Sequence, residues 1–205
     1  MCPQVDTHPH VTPVTQPATA TAKQAVAAPP CVPLLLLIGP PSVGKSSVAR
    51  HVCGLLEAAR IGFAFIDRDD FGDNGLLHDD PLIDLNEMLH ARVAVGAERL
   101  VVAWRVQSGL ELDRVRAALG WTDITVCRLH ADTEELLARI GGDDESFQLL
   151  HLQSLALEVA PRLARQARED ILLSTSRANP KAVAMRAFRQ WAMRGAPPAR
   201  GNAPL

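Results

Sequence analysis

Lysine is scarce in this chain: three residues (Lys23, Lys45 and Lys181) stand against eighteen arginines in 205 positions. One of the three falls inside the sequence's most specific motif, at a place where a compact ammonium serves better than a guanidinium fork. Long apolar runs are also missing. The longest, Leu34–Ile38, is far short of the roughly 20 residues that span a bilayer, and no basic stretch leads into an apolar one at the start, so no secretory leader is expected. The four cysteines (Cys2, Cys31, Cys53 and Cys127) are scattered without a C-x-x-C pair, which fits reduced thiols and a cytoplasmic location. The histidines show no metal-ligand spacing: His8 and His10 lie near the start, and His78 and His90 are far apart. A formal charge of −2 and a pI near 6.4 give no general attraction to nucleic acid or an anionic membrane. Neither is an expected partner.

What is present is organised in two parts. Residues 1–32 are rich in Pro, Thr, Ala and Val and poor in bulky apolar side chains, so they are expected to stay disordered, as is the Gly/Pro-rich end from residue 195 to 205. Between them, residues 33–194 alternate strand and helix patterns. Strands are expected at Leu34–Ile38, Gly62–Ile66, Leu100–Trp104, Ile124–Leu129 and Asp170–Ser174. Helices are expected over Val43–Ala59, Leu82–Ala97, Glu111–Leu119, Thr133–Ile140, the stretch between Phe147 and Arg168, and Lys181–Met193. Five strands alternating with helices predict an α/β domain whose parallel sheet is covered on both faces.

Gly39-Pro40-Pro41-Ser42-Val43-Gly44-Lys45-Ser46 matches G-x-x-x-x-G-K-[ST] at every fixed position, and Ser47 follows. A chain of this length shows that pattern by chance about once in a hundred. The spacing has a physical reason: glycines let the backbone wrap phosphate oxygens, inward N–H groups form an anion nest, and the following helix adds its positive end. Lys45 is expected to reach the β- and γ-phosphates of a nucleoside triphosphate, and the Ser46 hydroxyl to ligate Mg²⁺. An apolar strand before the motif and an amphipathic helix after it supply the required context.

A second feature is acidic. Ile66-Asp-Arg-Asp-Asp-Phe-Gly-Asp73 begins where the second strand should end. Ligands of an open parallel sheet sit beyond the carboxyl ends of its strands, so Asp67 should face the same crevice as the phosphate loop. On an extended backbone Asp67 and Asp69 would project the same way, and Asp70 the other way. Carboxylates there suit Mg²⁺ and its water, or acceptance of a proton from an attacking hydroxyl. The plainer role is a solvated acidic turn capping a helix, and Asp73, Asp79, Asp80 and Asp84 are read as caps and surface charges.

Together GPPSVGKSS and IDRDDFGD resemble the small P-loop kinases: shikimate kinase, gluconate kinase, adenylylsulfate kinase and chloramphenicol phosphotransferase. The similarity continues through Cys127-Arg-Leu-His-Ala-Asp-Thr-Glu-Glu-Leu-Leu-Ala-Arg139 and spans about Leu34–Met193. The resemblance implies a P-loop three-layer sandwich with strand order 2-3-1-4-5 and a helical lid after the fourth strand, here about 141–168. It implies ATP and Mg²⁺ as cofactors, with Asp67 serving the metal or acting as base and Asp69 meeting the substrate. Arg139 takes the position where the lid begins and packs on the nucleotide base. The match is incomplete after Arg139, where Ile-Gly-Gly-Asp-Asp replaces a second basic residue. Arg162 and Arg165, one helical turn apart, are candidates to replace it, and the plainer role for them is an exposed charged helix face.

The third strand is followed by Arg105, and the next acid is Glu111, which argues against an energy-coupling ATPase. Arg105 is a candidate contact for substrate or phosphate, or else a surface salt-bridge residue. Trp104 and Trp121 are expected in the core or a groove wall. The functional expectation is a kinase that transfers the ATP γ-phosphoryl group to a small-molecule hydroxyl, as a monomer or homodimer. The alternative is a regulatory nucleotide-binding ATPase, favoured by the thin set of lid arginines. Seven Asp against one Arg between Asp67 and Asp84 predict a neutral or cationic acceptor, unless Arg92, Arg99 or Arg105 fold back into the crevice.

Overall fold

Four consecutive leucines, Leu34–Leu37, are fully buried in the first strand because both faces of the sheet are covered. The computed structural model describes residues 31–71, 78–141 and 147–194, and within the first range it leaves the Asp70 side chain undescribed. The expected disordered segments, Asp73 and Gly142 thus lie outside the described residues, apart from the first strand starting at Val32 within the segment expected to be a tail.

The elements run β1 (Val32–Ile38), α1 (Lys45–Ala58), β2 (Phe63–Asp67), a 3₁₀ turn (Arg68–Phe71), α2 (Pro81–Ala94), β3 (Arg99–Ala103) and α3 (Gly109–Ala118). They continue with β4 (Thr122–His130), α4 (Thr133–Ile140), α5 (Phe147–Gln166), β5 (Ile171–Ser174) and α6 (Pro180–Arg194). All strands are parallel in the order β2-β3-β1-β4-β5. This is the expected P-loop three-layer arrangement.

Strand periodicity sorts the core in two. Leu34, Leu36 and Ile38 pack with Leu100, Val102 and Val126 under α2, α3 and α5. Leu35 and Leu37 pack with Val101, Cys127 and Leu129 under α1 and α6. Truncating one of these leucines to alanine should cost roughly 2–5 kcal/mol, because transfer and cavity terms add. Burial pushes the Cys127 thiol up to about 12 and Cys53 up to about 11, so both are packing residues at neutral pH.

The segment expected to move as a lid is mostly α5. Its Val159 and Leu163 are core residues and Ala156 is buried, which ties the second half of the helix to the sheet. No helix among the described residues is long and apolar enough to cross a membrane.

Candidate active site

The loop between β1 and α1 folds as its sequence requires. Gly39 has φ +149°, and a Cβ there would come within 2.5 Å of the Leu129 carbonyl oxygen, so only glycine fits between β1 and β4. Gly44 caps α1 at φ 96°, and Ser42 is left-handed at φ 57°. Val43 is fully buried in the core beside Val48, which anchors the loop from beneath. Lys45 opens α1 and donates through Nζ to the carbonyls of Gly39 (3.1 Å) and Pro40 (3.0 Å). Ser46 and Ser47 follow in the first turn of α1.

Asp67 closes β2 in register with Ala103 of β3 and is only 3% exposed. Asp69 shares its crevice, but not by strand alternation as expected. The chain turns into the 3₁₀ helix at Arg68, and the Asp69 backbone N–H donates to Asp67 Oδ1 at 3.2 Å. The Asp69 backbone therefore reaches the Asp67 carboxylate because the strand ends. Arg105, just beyond β3, donates from Nη2 to Asp69 Oδ1 at 3.1 Å. Lys45, Asp67, Asp69 and Arg105 border one cavity of about 280 Å³, with Ser42, Arg68 and Leu152 in its wall. Burial pushes the Lys45 ammonium down to about 8; Asp69 pulls it up, Arg105 lowers it further and Asp67 raises it. It is a poorly solvated cation with two carboxylates in its field.

Two more cavities flank this one. On the α1 side, Ser42, Val43, Gly44 and Ser47 form one wall of a space of about 370 Å³. Arg139, Thr175, Ala178 and Pro180 form the other. Arg139 is held there by several partners. It donates to Thr175 O (2.8 Å), to Thr175 Oγ1 (3.2 Å) and to Glu135 Oε1 (2.5 Å), with a longer contact to Val43 O (3.4 Å). The Thr175 hydroxyl in turn donates to Val43 O at 2.9 Å. Thr175 is a buried brace for the loop that the sequence did not single out; a threonine after a short strand carries no visible signal.

On the opposite side, Arg68 and Arg105 also border a cavity of about 440 Å³ whose other walls include Asp79, Asp80, Trp104, Glu111 and Arg114. Of the seven Asp counted along the sequence, Asp79 and Asp80 line this space, and Asp73 and the Asp70 side chain lie outside the described residues. Asp84, expected on the surface, is 5% exposed and accepts from the His78 backbone N–H (3.2 Å) and Nδ1 (2.6 Å). Asp80 caps α2 through Leu82 N at 3.0 Å and pairs with Arg114 at 2.8 Å. Three arginines face three acids here. Arg99 starts β3, at the end of the sheet away from the crevice, and Arg92 lies in the last turn of α2. Trp121 stacks on His90 at 4.0 Å and donates to Asn86 at 2.8 Å, a packing role. Neither Arg162 nor Arg165 lines any of these three cavities; Arg162 pairs with Glu158 on its own helix. Glu111, the first acid after β3, accepts from Gln107 N at 2.7 Å at the start of α3.

His78, Asp84 and Glu87 bring ligand atoms within 4.8 Å of one another, a grouping that histidine spacing alone had not indicated. The Asp84–His78 bonds account for its geometry, and Asp84 holds the His78 ring above its ordinary pKa mainly through that side-chain bond.

No family model and no curated protein matches the chain. Solved structures do. A tunicamycin resistance protein from Deinococcus radiodurans superposes with a TM-score of 0.59 at 18% identity, covering 82% of this chain and 99% of that one. An APS kinase from Mycobacterium tuberculosis, solved with AMPPNP and APS, gives 0.56 at 19% identity, covering 80% and 99%. A gluconokinase from Sinorhizobium meliloti 1021 gives 0.54 at 20% identity, covering 80% and 94%. What this chain shares with these proteins is the fold, a five-stranded parallel sheet in the order β2-β3-β1-β4-β5 with helices on both faces.

Proposed function

We infer that this protein is an ATP-dependent phosphotransferase acting on a hydroxyl of a small molecule. The observation that carries the reading is the row of three adjoining cavities. The first, beside Ser47, Arg139 and Thr175, suits a nucleoside, and the second, at Lys45, suits its phosphates. The third, beyond Arg68 and Arg105, suits the acceptor. Backbone N–H groups from Ser42 to Ser47 and the Lys45 ammonium would hold the phosphates. Ser46 and Asp67 fit Mg²⁺, being a hydroxyl at the loop and a buried carboxylate with oxygen left over after the Asp69 contact. The metal, when bound, neutralises charge on the phosphate oxygens.

In this reading Asp67 stands beside the acceptor hydroxyl as it attacks the γ-phosphate. The acceptor oxygen forms the new bond to γ-phosphorus, and the bond to the β,γ-bridging oxygen breaks. ADP leaves with that electron pair, and the hydroxyl proton passes to the Asp67 carboxylate. Asp69 and Arg105, paired with each other, orient the acceptor. Arg139, held by Glu135, Thr175 and the Val43 carbonyl, flanks the base.

A second reading, a regulatory nucleotide-binding ATPase, is favoured by one observation: among the described residues, no α5 arginine reaches the transfer cavity. Incubating the protein and its Asp67→Asn variant with γ-labelled ATP and a pool of small metabolites separates the two. A labelled organic product made only by the wild type supports the kinase. Label recovered solely as inorganic phosphate, at equal rates with and without the pool, would favour the regulatory reading.

A further inference from the structure

Of the three arginines in the acceptor cavity, two are answered by acids. Arg105 pairs with Asp69 at 3.1 Å and Arg114 with Asp80 at 2.8 Å. Arg68 is not. Among the described residues it makes no hydrogen bond or ion pair. Its guanidinium carbon lies 5.9 Å from the Phe71 ring centre and 5.7 Å from that of Trp104. Those rings are themselves fixed edge to face at 5.7 Å, and Phe71 (7% exposed) and Trp104 (4%) are buried. Arg68 is half-buried and borders both the cavity with Lys45 and the cavity beyond it.

A guanidinium over aromatic faces keeps its planar N–H edge available for two parallel bonds to an oxyanion. A partly desolvated cation with no ion-pair partner among the described residues is unfavourable, and a ligand anion relieves it. Two further acids, Asp79 and Glu111, line the same cavity. Glu111 accepts from Gln107 N, and Asp79 stands beside His78, whose protonation it favours.

Resting on the kinase reading, we propose that Arg68 is the specificity-determining residue for the acceptor, binding an oxyanion that the acceptor carries in addition to the reacting hydroxyl. The substrate class is a hydroxy acid or a phosphorylated alcohol, with the anion on the Arg68–Trp104 platform and the hydroxyl toward Asp67. This replaces the neutral or cationic acceptor that the linear charge count predicts, because Asp80 and Asp84 are used structurally and Arg114 and Arg105 enter from elsewhere in the chain.

The test uses the full chain saturated with AMPPNP and Mg²⁺, so that the phosphate loop is filled. The Trp104 indole N–H resonance, assigned with Trp104→Phe, is followed while sodium sulfate, inorganic phosphate, glycerate or glycerol is added at constant ionic strength. The expected result is saturable shifts at low-millimolar concentration with the oxyanions and none with glycerol. Arg68→Met should weaken oxyanion binding at least tenfold, and Arg68→Lys by less. Sulfate and phosphate against glycerate separate a phosphoryl from a carboxylate preference. No saturable shift with any oxyanion, or a shift undiminished in Arg68→Met, overturns the proposal. Calorimetry with AMPPNP in the same samples reads the nucleotide site independently, so loss of nucleotide binding would count against the kinase reading and not against the Arg68 site. Where γ-labelled ATP transfers label to glycerol in preference to glycerate and glycerol phosphate, the proposal also fails.

Discussion

Arg105 Nη2 donates to Asp69 Oδ1 at 3.1 Å, joining residues 36 positions apart that follow the carboxyl ends of two neighbouring strands. Both side chains are more than half exposed, 52% and 69%, so the pair should contribute at most about 1 kcal/mol to stability. Its placement beside Lys45 matters for chemistry. Arg105→Met should therefore leave the melting temperature within about 2 °C and lower kcat on an identified acceptor about tenfold or more. A large fall in melting temperature with unchanged kcat would make the pair structural.

Lys45→Ala removes the only side-chain cation of the phosphate loop. Affinity for AMPPNP should drop by at least about tenfold by calorimetry, equivalent to roughly 1.4 kcal/mol. In the wild type the sign of the pH effect follows from the lowered pKa near 8. The triphosphate binds the protonated amine and raises its pKa, so binding takes up a proton. Affinity is full below about pH 8 and declines as pH rises through that value, by up to about tenfold per unit. Titrations at fixed Mg²⁺ between pH 7.5 and 9.5, with Lys45→Ala as control, would refute this if affinity stays level throughout.

Asp67→Asn keeps the side chain's size and its oxygen acceptor for Asp69 N–H. The fold should persist by circular dichroism and nucleotide affinity should change little. Turnover should fall about a hundredfold or more, because an amide accepts no proton. Near-native turnover would reduce Asp67 to a turn-capping residue.

Thr175→Val tests the brace under the loop. The hydroxyl that donates to Val43 O at 2.9 Å disappears, leaving a buried carbonyl short of a donor at a cost of about 1–3 kcal/mol. Denaturant unfolding should show that loss, and AMPPNP should bind more weakly. Stability unchanged within error would mean that the longer Arg139 contact suffices.

Motion should be confined to the start of α5. Leu152 borders the transfer cavity, whereas Val159 and Leu163 are core. Hydrogen exchange over Phe147–Gln153 is expected to slow when nucleotide and acceptor bind together, with little change toward Gln166. Uniform protection along the helix, or none, would contradict a hinged first half.

The phosphate loop and the layout of the domain are legible in the sequence because they are local. Gly39, Gly44 and Lys45 are set by backbone conformation and spacing, and the runs Leu34–Ile38 and Leu100–Ala103 announce buried parallel strands. Element ends were less legible. β1 extends to Val32 and β4 over Thr122–His130, since strand pairing can continue through polar residues once neighbours supply the hydrogen bonds. Asp67 was readable as a strand-end acid, but its contact with Asp69 depends on a turn that alternation could not foresee.

What tertiary structure alone decided is where the charges go. In linear order Arg68 stands among seven acids. In space Arg114 reaches Asp80 across 34 positions, Arg105 reaches Asp69, and His78 draws Asp84 inward. Arg68 is left on Phe71 and Trp104. Local patterns determine which segments become strand, loop and helix, because backbone hydrogen bonding and apolar periodicity act over a few residues. Coulomb pairing acts across any sequence separation once the sheet brings its strand ends together, so the charge of the crevice belongs to the fold.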